Sequence, residues 1–129
     1  MFNTIKYKLN FKLATRFHKN NFDKEKNFYK KHLSNIEYRF LLKNLIFRKK
    51  TRKIYSYLIQ SKLVIGTMST VLKENLSLGG KTLACNFTKT NIFDFPIKGI
   101  CFLKNSEFNY FEKRAKYILK ITKKKIFKI

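Results

Sequence analysis

The sequence predicts a mainly α-helical protein, with helices toward the amino terminus, an extended, irregular central segment and an amphipathic carboxy-terminal helix. Its shape is expected to come from an anionic scaffold rather than from a large independent core. Three observations predict this. All four glycines and the single proline fall between residues 66 and 104, so the flanking stretches lack the residues that most often break helices. Those stretches carry apolar side chains at helical spacing. Finally, thirty Lys and Arg face seven Asp and Glu, a formal charge of +23 on 129 residues, and a compact chain with that charge repels itself.

The elements follow in order. Residues 1–22 contain no acid and several bases. They read as a basic arm that is kept rather than cleaved, because presequences favour Arg and Ser over Lys. Residues 23–65 form the helical region. Asp23 and Glu25 suit a helix start, where negative charge meets the positive dipole end, and a break near Ser34 and Asn35 divides the region. In "NIEYRFLLKNLIFRKK" a helical turn gathers Arg39, Lys43 and Lys50 on one seam, with Tyr38, Leu41, Leu42 and Leu45 on another side and Ile36, Phe40 and Phe47 as a second apolar group. A further helical piece runs from Ile54 to about Ile65 and ends at a left-handed cap on Gly66. The β-branched pair in "LVIG" leaves a strand as the alternative there.

Residues 66–104, with "KTLACNF" and "IKGICFL", read as extended or irregular with a small hairpin. Residues 105–122 form a helix capped by Asn105 or Ser106 and starting with Glu107. Phe108, Phe111, Ala115, Ile118 and Leu119 share one face, opposite Lys113, Lys116, Lys120 and Lys124. Residues 123–129 are a basic tail.

Composition narrows the function classes. An apolar content of 44%, with fourteen Phe and seven Tyr, argues against disorder. No uninterrupted apolar stretch approaches the ~18 residues that cross a bilayer, so an integral membrane protein is not expected. Lys outnumbers Arg five to one, and Asn, Ile, Phe and Tyr are abundant, a bias that suits an A+T-rich or organelle-encoded gene. A polyanion is the simplest partner for such a charge, because lysines on phosphates release counterions. Arg48, Lys49, Lys50, Arg52 and Lys53 form one cluster and the lysines around Lys120 and Lys124 another. With Arg39, Lys43, Lys81, Lys89, Lys113 and Lys116 they are the expected RNA-binding residues.

Little here suggests catalysis, and the chain is read as not an enzyme. Its carboxylates are scattered beside lysines, where capping and ion pairing account for them. His18 and His32 flank no nucleophile pattern. Cys85 and Cys101 stand alone, without the paired ligands that zinc takes, so neither metal nor cofactor is expected. Lys81 and Lys89 would favour a Cys85 thiolate, but a small apolar residue in a packed strip is the simpler reading. "GGK" at Gly79 to Lys81 lacks the spacing of a phosphate loop.

The order of features resembles the fourteenth small-subunit ribosomal protein family, in its zinc-free bacterial and organellar branch. Asp23, Arg39, Leu42 and Lys43 in "DKEKNFYKKHLSNIEYRFLLKNL" carry the likeness, with Cys85 and Thr88 in "CNFT", and Ser106, Phe108, Glu112 and Ala115 in "SEFNYFEKRAKYI". The resemblance implies a structural constituent of a mitochondrial ribosome, in the small-subunit head. It would serve translation by packing on ribosomal RNA beside neighbouring ribosomal proteins, without a small-molecule substrate, and Cys85 would be the remnant of a zinc ligand. Two alternatives stand beside it: a large-subunit organellar ribosomal protein, and a basic accessory subunit of a respiratory membrane complex.

Overall fold

A computed structural model describes residues 12–14, 23–46, 52–67 and 69–122. The described elements run β1 (Leu13–Ala14), α1 (Asp23–His32), α2 (Asn35–Lys43), β2 (Leu45–Ile46), α3 (Arg52–Gln60), β3 (Val64–Gly66), α4 (Thr70–Ser77), β4 (Thr82–Cys85), a 3-10 turn (Asn91–Phe93), β5 (Phe102–Leu103) and α5 (Phe108–Lys120). The fold is therefore mixed rather than mainly α. The chain divides into two compact units, residues 1–53 and 54–129.

In the first unit the expected break occurs at Ser34. Its hydroxyl accepts from the Glu37 N–H at 3.2 Å, and the Glu37 carboxylate accepts from the Ser34 N–H at 3.1 Å. This reciprocal box satisfies two donors that a helix start leaves open. Asp23 and Glu25 open α1 while Lys30, Lys31 and His32 close it, complementing the helix dipole at both ends. Leu41 is buried on α2, whereas Ile36 and Leu42 stay exposed. The helix stops at Lys43, where the Asn44 amide donates to the Phe40 carbonyl at 2.9 Å. Leu45 therefore lies in β2, paired in parallel with Leu13 of β1, and not on the helix seam.

The second unit holds the main core. Strands β3, β4 and β5 form a sheet in that order, parallel throughout, with Val64 opposite Thr82 and Ala84 opposite Phe102. Parallel neighbours need a crossover, and α4 supplies it between β3 and β4. All of β4 is buried, as suits a short central strand covered by helices. Leu72 and Leu76 of α4 and Ile118 of α5 pack with Leu83, Ala84, Cys85, Phe95, Cys101 and Leu103. The central segment is thus not a hairpin: it holds α4 and the strands β4 and β5, and stays irregular over residues 86–90 and 94–101. "LVIG" takes the strand alternative, and Gly66 is a strand residue rather than a left-handed cap.

The two adjoining glycines do different work at the end of α4. Gly79 has a φ of 82°. Its N–H donates to the Leu76 carbonyl at 3.0 Å and the Gly80 N–H donates to the Asn75 carbonyl at 2.8 Å, the paired closure of a Schellman motif. At Gly80 a Cβ would collide with the Asn75 side-chain amide. That amide is buried and donates to the Lys81 carbonyl at 3.0 Å and the Thr82 hydroxyl at 2.8 Å.

Ala should therefore be tolerated unequally at the two positions. Gly79→Ala meets open space and bears only the left-handed backbone cost, about 1–2 kcal/mol. Gly80→Ala displaces a buried amide and should cost about 2–4 kcal/mol. Urea unfolding of the two variants checks the order, and equal midpoints would contradict it.

Candidate functional site

Which end of the sheet is open to chemistry follows from how the helices run. Asn75, near the end of α4, bonds to Lys81 and Thr82 at the amino end of β4. The Lys81 ammonium donates to the Leu119 carbonyl at 2.6 Å, which places the end of α5 beside the same end of β4. A cation on the last carbonyls of a helix is favourable there. Both helices thus run antiparallel to β4, and both begin toward its carboxyl end.

At α4 the start is Ser69, whose hydroxyl accepts from the Val71 N–H at 3.3 Å. The start of α5 is Glu107, which lacks a side-chain cap and is led in by Asn105, whose side-chain oxygen accepts from the Glu107 N–H at 2.9 Å. At the same end of the sheet emerge the segments that leave β4 and β5: the turn Asn86–Thr90, and Lys104.

The turn after β4 is tied by one amide. Asn86 is buried. Its NH2 donates to the Thr90 carbonyl at 2.9 Å and to Asp94 Oδ1 at 2.6 Å. Its oxygen accepts from the Thr88 N–H at 3.0 Å and the Thr88 hydroxyl at 2.5 Å. These bonds use the full capacity of the side chain. Asp94 then accepts from Lys98 at 3.3 Å and Lys104 at 3.2 Å, and Lys104 also donates to the Asn91 side chain. The hydrogen bond from Asn86, joined by those from Lys104 and Lys98, holds the Asp94 carboxyl below its ordinary value.

The residues singled out from the sequence scatter over this frame. Arg39 and Lys43 are exposed on α2 of the first unit, and Arg52 and Lys53 open α3. Arg48, Lys49, Lys50 and Lys124 lie outside the described residues, as do the basic arm's His18 and the carboxy-terminal tail. Lys81 and Lys89 sit at opposite ends of β4: Lys81 is engaged with α5, and Lys89 is exposed in the turn. Lys113 and Lys120 are exposed on α5, and Lys116 pairs with Glu112 at 2.8 Å.

Cys85 is buried, and burial pushes its thiol up to about 11 against a smaller opposing effect of Arg114. It is a packed thiol and not a thiolate. Among the described residues no three of His, Cys, Asp and Glu come together as metal ligands.

Sequence reasoning missed Ser69, Asn86, Lys104 and Arg114. The Arg114 guanidinium donates to the carbonyls of Gly99, Ile100 and Phe102 at 3.2, 3.1 and 2.8 Å, fixing the approach to β5. The signals for Ser69 and Asn86 were present, as a hydroxyl just ahead of Leu72 and Leu76 at helical spacing and as an amide directly after an apolar run. Nothing local marks Arg114, whose partners lie 12 to 15 residues away.

Residues 4–96 match a family model described as "putative O-antigen biosynthesis protein". Comparisons with curated proteins and with solved structures return no match. The family match overturns the ribosomal reading, including the likeness to the fourteenth small-subunit family and its role in translation. The large-subunit and respiratory-complex alternatives fall with it, as does the mitochondrial location. The motifs behind that likeness were short and have a structural explanation: Cys85 ends a buried parallel strand, and Thr88 belongs to the Asn86 turn.

Iodoacetamide should leave Cys85 unmodified at neutral pH until denaturant opens the core, with mass spectrometry as the readout. The thiol's raised value also sets a sign for stability. Its contribution is complete below the unfolded value near 9 and is lost as pH rises toward about 11. The stability difference between the parent chain and Cys85→Ala should therefore shrink by about 2–3 kcal/mol over that window.

Proposed function

The chain belongs to that O-antigen biosynthesis family, and from this premise we propose that the second unit binds the phosphate of an activated sugar at the carboxyl edge of its parallel sheet. Joining free sugars in water is unfavourable, so polysaccharide assembly draws on sugars carrying phosphate leaving groups. The observation that carries the reading is the convergence at one edge: three parallel strands end there, and α4 and α5 begin there. Open parallel sheets take ligands outside the carboxyl ends of their strands, and helix starts favour phosphate through free N–H groups and the dipole.

Lys89 and Lys104 supply cations at this edge, with the Ser69 hydroxyl beside the first turn of α4. Lys113, Lys116 and Lys120, expected to bind RNA, take a different part as a positive field that draws an anion in. This reading replaces ribosomal RNA with a small phosphate-bearing ligand, against the expectation of no small-molecule substrate. It assigns binding and not catalysis to this chain, because Cys85 is buried as a thiol and Asp94 is committed to Asn86 and two lysines. Among the described residues no helix is long and apolar enough to cross a membrane.

Titration with a nucleoside diphosphate sugar, followed by amide NMR, tests the site. Shifts should concentrate at residues 69–72, 86–90 and 104–108, and Lys89→Gln and Lys104→Gln should each weaken binding about tenfold. Lys113→Gln and Lys120→Gln should leave it nearly unchanged. Equal losses at all four lysines would reduce the effect to net charge and refute the site.

A further inference from the structure

The segment joining β4 to β5 holds apolar side chains in water on a rigid support. Ile92 is 75% exposed, and Phe87, Phe93 and Ile97 of the same segment are exposed as well. The support is built from several sides. The Thr90 hydroxyl accepts from the Ile92 N–H at 3.3 Å, and the Asp94 N–H closes the 3-10 turn on the Asn91 carbonyl at 3.0 Å. Asn86 ties the turn to Asp94, and Phe95, wholly buried, anchors the chain one residue later. Exposed apolar groups that cluster and are rimmed by polar ones mark an interaction surface.

The charges around the turn identify the occupant. Residues 86–104 contain Lys89, Lys98 and Lys104 against the single carboxylate Asp94. Lys98 and Lys104 both reach Asp94, so they stand beside the turn that presents Ile92 and Phe93. A second copy of a chain carrying +23 would be repelled from this surface. A free anion would satisfy the lysines and leave the apolar side chains in water. An anionic bilayer surface satisfies both, with headgroups for the ammonium groups and the acyl boundary for the side chains. We propose that the Asn91–Phe93 turn docks the second unit on an anionic lipid surface by inserting Ile92 and Phe93 between headgroups. This docking rests on the exposed apolar turn and not on the phosphate reading, although Lys89 and Lys104 serve in both, and it requires no membrane-crossing helix.

Net charge alone would bring this chain to anionic vesicles, so the test must read insertion. The sequence contains no Trp, and Ile92→Trp therefore introduces a unique probe. With vesicles of phosphatidylglycerol and phosphatidylcholine, its fluorescence should shift to the blue and be quenched by brominated acyl chains. Ile59→Trp, at an equally exposed apolar position on α3, should stay unquenched.

The double variant Ile92→Asp with Phe93→Asp should lower vesicle partitioning by about tenfold to a hundredfold. Both positions are exposed, so circular dichroism should be unchanged. The residual binding should vanish at about 0.5 M salt, where surface charges are screened, whereas the parent chain stays bound. Quenching at position 59 equal to that at 92, partitioning unaffected by the double variant, or a change in oligomeric state with the double variant would each overturn the proposal. The last of these would assign the surface to a second copy of the chain.

Discussion

The second unit depends on pairing the backbone of a strand that no water reaches. Strand β4 is only four residues long and buried throughout, and each unpaired N–H or carbonyl there would cost about as much as a lost hydrogen bond. The parallel neighbours β3 and β5 satisfy its middle. Two buried amides serve its ends: Asn75 bonds the Lys81 carbonyl and the Thr82 hydroxyl, and Asn86 closes the turn beyond Cys85. The bareness of Gly80 and the position of Asp94 both follow from where these amides lie.

Much of the outline was legible in the residues. Phe111, Ala115 and Ile118 turn one face of α5 to the core, as their spacing indicates, while Phe108 and Leu119 remain exposed at its ends. Ser34 and Glu37 mark a helix boundary by a reciprocal pattern, and Asp23 with Glu25 opens α1. These features are local, so the chain shows them within one or two turns.

The remainder depends on partners distant in the chain. Helix α4 lies in a stretch rich in glycine, and Leu72 and Leu76 are too few to set a period of their own. What makes it a helix is burial against β3 and β4, with Ser69 and the two glycines as its ends. Parallel pairing of "LVIG", "TLAC" and "FL" is equally invisible locally, because short apolar runs do not state their direction. The carboxyl edge became readable only once the direction of β4 was known. The excess of lysine pointed to an anionic polymer, and the family match removes the ribosomal RNA named for it, since charge carries no information about the shape of what it attracts.

On the two proposals one end of the sheet carries two tasks, a place for phosphate near the helix starts and an apolar turn for lipid. Asn86 serves both, because the same side chain shapes the segment bearing Lys89 and restrains the segment bearing Ile92.

Arg114 gives this arrangement a mechanical character. One guanidinium from the middle of α5 grips three successive stations of the backbone entering β5, while Lys81 clasps the far end of that helix from β4. Helix and strands are thereby tied at two separated points. A load applied to β5 or to the start of β4 is therefore shared with α5.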